Sequence, residues 1–159
     1  MPVAIIIRGP AGSGKSTVAA QLQKKIPKSV HIDIDKIKGM ISPESTPVRT
    51  RIAHDVASHF LKQLIKEKFN IIVEEIFYEE YYLKTCRELK RARYKIVRVH
   101  LNAPLNTLIY RDAHREKNKG KAIIAKLNRE IVPLDEDLII DTSKHSAAYA
   151  ADRIISKVP

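Results

Sequence analysis

Five short apolar runs recur along the chain, and each is followed by a longer stretch with helical spacing. Val3–Ile7 is β-branched and nearly continuous, as a parallel strand buried on both faces would be. Val30–Ile34, Asn70–Ile76, Lys95–Leu101 and Leu138–Asp141 repeat the pattern. Between them, apolar positions three and four apart predict helices near 15–26, 48–68, 78–93, 104–116 and 146–157, with a shorter one near 120–129. Pro43 and Pro47 mark the loop before the second helix, and Pro104 opens a later one. The alternation runs from end to end with no internal repeat, low-complexity tract or linker. It predicts βαβ units, and so one α/β domain over 1–159 built on a parallel sheet with helices on both faces.

In such a sheet, ligands gather beyond the carboxyl ends of the strands. The residues at those ends are Arg8/Gly9, Asp33/Asp35, Glu74/Glu75, Asn102 and Asp141/Thr142, so four of the five ends carry an acid or the segment that follows the first strand. That segment reads Gly9-Pro10-Ala11-Gly12-Ser13-Gly14-Lys15-Ser16 and holds three of the chain's five glycines. It has the P-loop spacing, in which glycines let backbone N–H groups turn inward around an anion and a helix N-terminus completes the cradle. The motif implies a nucleoside triphosphate on Gly9, Ala11, Gly12, Ser13 and Gly14. Lys15 would reach the β- and γ-phosphates, and the Ser16 hydroxyl would bind Mg²⁺. Thr17 either touches the α-phosphate or caps the helix.

Composition narrows the classes. The 159 residues suit one domain of ordinary size, and no apolar run approaches the length of a membrane span. The amino-terminal Met-Pro-Val lacks the charged start of a signal peptide, and a lone cysteine, Cys86, allows no internal disulfide, which together lead to the expectation of a cytoplasmic protein. Cys86 reads as a structural thiol, with no base placed to activate it. The net charge is +11. Basic side chains concentrate in 84–98 and again in 111–129, as expected either for a polyanion track or for solvated helix faces. Against a nucleic-acid surface, aromatics are 6% and Trp is absent. Tyr78, Tyr81 and Tyr82 offer either a stacking platform or helix core.

With these motifs in view the chain resembles the small P-loop kinases, a group that includes adenylylsulfate kinase, chloramphenicol phosphotransferase, zeta-toxin kinases and polynucleotide 5′-kinase domains. Gly9–Ser16 matches their P-loop. His31-Ile32-Asp33-Ile34-Asp35-Lys36-Ile37-Lys38 looks like their second-strand motif, Arg111-Asp112-Ala113-His114-Arg115 like their lid, and Pro133–Ser143 like their final strand. The resemblance implies a three-layer P-loop NTPase fold with a five-stranded parallel sheet in the order 2-3-1-4-5 and a lid at about 111–129. It implies ATP and Mg²⁺ as cofactors and a hydroxyl acceptor, which is either a nucleic-acid 5′ end or an anionic small molecule. Asp35 is the expected base and Lys38 the substrate anchor. Asp33 is the alternative base, a contact to Mg²⁺ through water, a substrate contact or a helix cap. Glu74, beside the P-loop strand, is the expected metal carboxylate, although Asp is commoner there, and Glu75 faces substrate or a structural partner. Adjacent strand residues point to opposite faces. Arg111 and Arg115, four apart, are expected on one helix face, closing over the transferring phosphoryl, with Asn118-Lys119-Gly120 as a flexible tip.

The six histidines show no metal-ligand spacing. A GTP-dependent switch is disfavoured, because Asn118-Lys119-Gly120-Lys121 lacks the guanine-reading acid and no Asp-x-x-Gly follows the second strand. A nucleic-acid-associated ATPase or a regulatory nucleotide-binding protein remains the alternative to a kinase. The oligomeric state, monomer or homodimer, is open.

Overall fold

The computed structural model describes residues 1–42 and 46–158. Pro43 therefore lies outside the described residues, and Pro47 sits inside the helix it was expected to precede. The elements are β1 (Val3–Arg8), α1 (Lys15–Lys25), β2 (Ser29–Asp33), α2 (Ile34–Gly39), α3 (Thr46–Lys66), β3 (Asn70–Glu75), α4 (Glu79–Arg91), β4 (Lys95–Asn102), α5 (Leu105–Ala113), α6 (Lys121–Glu130), β5 (Leu138–Asp141) and α7 (Ala147–Ile155). All strand pairings are parallel, and the order is β2-β3-β1-β4-β5. This is the α/β, P-loop NTPase arrangement that the resemblance implies.

The sheet separates two apolar layers. On one face Ala4, Ile6, Ile32, Ile71 and Val73 pack under α3 and α4 through Ala57, Leu61, Tyr82 and Leu89. On the other face Ile5, Ile7, Ile72, Val97, Val99 and Leu101 meet Val18, Ala19 and Leu22 of α1 and Ala150, Ala151 and Ile154 of α7. A third, smaller cluster joins Ala11 of the P-loop to Leu108, Ile124 and Leu127, so the α5–α6 pair is packed onto the carboxyl end of the sheet. Alternation along each strand decides which layer a residue enters.

Two departures from the sequence pattern bear on the site. Ile34 leaves the strand and opens α2, a six-residue helix with too few turns for periodicity to reveal. Asp33 is its N-cap, accepting the Lys36 N–H at 3.1 Å. Helix α5 stops at Ala113, three residues short of the expected end.

Candidate active site

The P-loop forms as its residue order dictates. Gly9 passes so close to β4 that a Cβ there would stand 2.2 Å from the Leu101 carbonyl oxygen, which excludes every other residue. Gly14, at φ +89°, is the N-cap of α1 and brings no side chain to the helix end, so the first-turn N–H groups face outward uncapped. With the cap position taken by Gly14, Thr17 lies within the helix and is not its cap. Lys15 is buried, and its ammonium donates to the carbonyls of Gly9 (3.0 Å) and Pro10 (3.1 Å). Burial pushes its pKa down, opposed by the negative charges of Asp35, Glu74 and Asp33, which lie close enough to act on it.

A cavity of about 310 Å³ opens beside the loop, lined by Gly14, Thr17, Arg111, Thr142, His145 and Ser146 among others. Arg111 forms its back. Its guanidinium donates to the Gly12 carbonyl (3.1 Å), the Thr142 hydroxyl (2.8 Å) and the Thr142 carbonyl (2.8 Å). The Thr142 hydroxyl in turn donates to the Ser13 carbonyl at 2.9 Å. The loop is thus tied to α5 and to the end of β5. Arg115 lies beyond the helix on the exposed 113–119 stretch and does not share a helix face with Arg111. Its charge still reaches Lys15. The segment after it is held at its return. Buried Asp112 accepts the N–H groups of Lys119 (3.0 Å) and Gly120 (2.9 Å), so the expected flexible tip is anchored at these two residues.

The two glutamates at the end of β3 diverge, as adjacent strand residues must. Glu74 is on the α1 face, where its carboxylate lies 2.9 Å from Nε2 of His31, with Asp33 beside it. Burial raises the Asp33 pKa, and the neighbouring Glu74 charge raises it further. Glu75 is on the opposite face, against Lys38 of α2 and 2.9 Å from His54 Nε2. Burial there pushes the Glu75 carboxyl up, but His54 and Lys38 more than offset it and hold the carboxyl below its ordinary range. His54 stacks on Tyr81, with ring centroids 3.8 Å apart. Lys38 also stands 3.6 Å from the half-exposed Asp35. Tyr82 is core, bonded to Asp137 at 2.7 Å, and Tyr78 is exposed. Burial lifts the Cys86 thiol to about 11, in keeping with a structural role.

Several contributors carry no linear signal. Arg8 runs under the site, donating to the Phe77 carbonyl at 2.8 Å and to that of Val132. Phe77 sits at φ +53°, an uncommon backbone for a bulky residue, and turns the chain sharply beyond β3. Pairing of His31 with Glu74 and of His54 with Glu75 follows from strand register and helix docking. No spacing of single residues records either.

The comparisons with known proteins agree with this geometry. Residues 5–130 match the family model described as an AAA domain. The chain belongs to that family. Among solved structures it is similar to the tunicamycin resistance protein of Deinococcus radiodurans (17% identity, TM-score 0.70, covering 100% of this chain and 98% of that one). It is also similar to the Mycobacterium tuberculosis APS kinase solved with AMPPNP and APS (19%, TM-score 0.71, 98% and 96%). A gluconokinase from Sinorhizobium meliloti 1021 is a third (15%, TM-score 0.61, 98% and 94%). At these identities the likeness is one of fold, and the fold is that of small P-loop kinases. A comparison with curated protein sequences finds no significant match. No helix among the described residues is long and apolar enough to cross a membrane.

Proposed function

We propose that this AAA-domain family member is an ATP-dependent kinase that transfers the γ-phosphoryl group to a hydroxyl of a small molecule. The observation that carries the reading is convergence. Asp35 after β2 and Glu74 at the end of β3 both lie within electrostatic reach of Lys15 of the P-loop, at the carboxyl edge of the sheet. Nucleotide anchor, proton acceptor and metal carboxylate are the three parts that phosphoryl transfer needs together.

In this reading the nucleoside enters the cavity between α1 and α7 against Arg111, and the phosphates follow the loop N–H groups. Lys15 moves from the loop carbonyls to the β- and γ-oxygens. Ser16, exposed in the first turn of α1, and Glu74 on the same face would hold Mg²⁺, whose charge offsets that of the phosphate oxygens. Asp35 orients the acceptor hydroxyl and takes its proton as the oxygen attacks the γ-phosphorus. The bond to the β,γ-bridging oxygen breaks and ADP leaves. Arg115 supplies positive charge from the segment over the loop.

Charge at the acceptor side favours a small hydroxylated compound over a nucleic-acid chain. The Lys38 ammonium is engaged by Glu75 and approached by Asp35, so it adds no free positive charge. The first basic stretch leads away from the site, since Lys90 to Lys95 occupy the end of α4 and the start of β4, at the opposite edge of a parallel sheet. Arg98 is spent on Asp137 and Glu136. A protein confined to a reducing compartment accords with the single thiol.

The test is transfer of labelled γ-phosphate from ATP·Mg²⁺ to a panel of polyols, sugars and aminosugars and to oligonucleotides with free 5′-hydroxyls, with Lys15→Ala as the blank. Label on a small acceptor that is lost in the blank is expected. Label on the oligonucleotides alone would replace the acceptor class. ATP hydrolysis unaffected by any acceptor would remove the kinase reading in favour of an ATPase.

A further inference from the structure

His31, Asp33 and Glu74 are brought together by pairing register. In β2 and β3, Asp33 lies opposite Glu74 and His31 opposite Ile72. His31 and Asp33, two apart, therefore face the same side as Glu74, the side of α1. Each offers one ligand atom, and the three atoms lie within 4.8 Å of one another, with His31 Nε2 to Glu74 Oε1 the short edge at 2.9 Å. A first-row cation with bonds of about 2.0–2.2 Å spaces neighbouring donors by roughly 3 Å and opposite ones by a little over 4 Å. The triangle already has that scale.

The local charge calls for a cation. Glu74 is 2% exposed and Asp33 sits beside it, so two carboxylates share a largely buried place. Beyond the His31 imidazole on Glu74, the contacts available to them are weak compensation. Lys36 is 3.7 Å from Asp33 on a mostly exposed side chain, and Lys15 spends its donors on loop carbonyls. The Asp33 oxygen that caps α2 is Oδ1, which leaves Oδ2 available. A nitrogen donor in the set changes which ion it suits: Mg²⁺ takes oxygen ligands and keeps its waters, whereas imidazole is a good ligand for first-row transition ions.

We propose that His31, Asp33 and Glu74 form a binding site for a first-row transition divalent cation, of the Mn²⁺ to Zn²⁺ class, that fills without nucleotide. The site adjoins the P-loop and shares Glu74 with it. Its existence does not require that the protein be a kinase. A carboxylate-carboxylate-imidazole set leaves further coordination positions for water or for a phosphate oxygen arriving from the loop side.

The experiment titrates the nucleotide-free protein with Mn²⁺, read by the loss of the free-ion electron paramagnetic resonance signal, and repeats it with Mg²⁺ in competition. One tight site is expected, at least about tenfold tighter for Mn²⁺ than for Mg²⁺, with His31→Gln weakening Mn²⁺ by about tenfold or more. Pulsed resonance of the bound Mn²⁺ in the unsubstituted protein should show coupling to an imidazole nitrogen, a readout that depends on no variant folding. Equal affinity for the two ions, an unchanged His31→Gln, or bound Mn²⁺ without nitrogen coupling would each overturn the site. Because ATP is absent, none of these outcomes bears on phosphoryl transfer, and a failed transfer assay leaves the cation site standing.

Discussion

Asp33 and Asp35 are two residues apart, and one hydrogen bond separates their roles. Asp33 is committed to the Lys36 N–H as the cap of α2, while Asp35, a residue inside that helix, is half-exposed and carries only the ion pair with Lys38. A base must be open to the incoming hydroxyl, and the Asp35 side chain is 42% exposed where that of Asp33 is 11% exposed. Asp35→Asn keeps the size and the helix but removes proton acceptance. It is expected to lower the transfer rate by about 10²–10⁴-fold. ATP affinity, measured by fluorescent-nucleotide displacement, should stay within about twofold of the parent, because nothing in the loop contacts changes. Equal rates in the two proteins would pass the role to another group. The sequence alone left this pair open, since a cap and a base use the same residue type at neighbouring positions. What favours Asp35 is the start of α2, a helix too short to announce itself, where Asp33 serves as the cap.

At the scale of elements, the α5–α6 connection shows most clearly what a linear reading sees and misses. Arg111 is legible as a candidate site residue from its place after the fourth strand. Its orientation is not, because the partners are a carbonyl 99 residues earlier and a threonine 31 later. Arg115 was expected on the same helix face through simple spacing, and the early end of α5 removes that face. Asp112 stands between them, and nothing in its spacing marks its role. Its carboxylate accepts the N–H of Gly120, the N-cap of α6, as the N3 carboxylate of a capping box would, and so fixes the entry to that helix. Asp112→Ala would remove the charged acceptor of two partly buried N–H groups, and a loss of about 1–3 kcal/mol in urea unfolding is expected. Amide exchange at Lys119 and Gly120 should accelerate in the same variant. Unchanged exchange there would show that the loop is held by something else. The P-loop, by contrast, was readable almost in full, because its chemistry is written in consecutive residues and its neighbours β1 and α1 have strong patterns.

Across the whole molecule, the sheet order followed from the resemblance, whereas its consequences for charge did not. Strand register decides that Arg8 of β1 stands beside His100 of β4, inside the core. Burial, and then the Arg8 charge, push the His100 pKa down to about 4. The imidazole is therefore neutral in the fold at pH 7, while in the unfolded chain it titrates near its ordinary value of 6.5. Between those values the unfolded chain binds the proton and the fold does not, so this residue's contribution is complete above about pH 6.5 and is lost as the pH falls toward 4. From pH 7 to pH 5 the loss amounts to about 2 kcal/mol. Urea unfolding at the two pH values should show His100→Asn losing less stability on acidification than the parent by about that amount. Parallel losses would place the imidazole in a more polar setting than its burial implies. The same global view separates the two basic stretches, one at the amino edge of the sheet and one around the loop.

The Thr142 link has a practical side for anyone dividing this chain. The matched family span closes at residue 130, which makes that position an inviting place to cut. Yet the carbonyls of Gly12 and Ser13 are braced by Arg111 and Thr142, and half the wall of the cavity beside the loop is drawn from residues 142–147. A fragment ending at 130 would keep the entire diagnostic motif and lose β5, α7 and the strut behind it. Its motif would still be recognised by eye while its cradle had no back, so the smallest unit that preserves the pocket extends through Ile155, well past the smallest unit that preserves the signature.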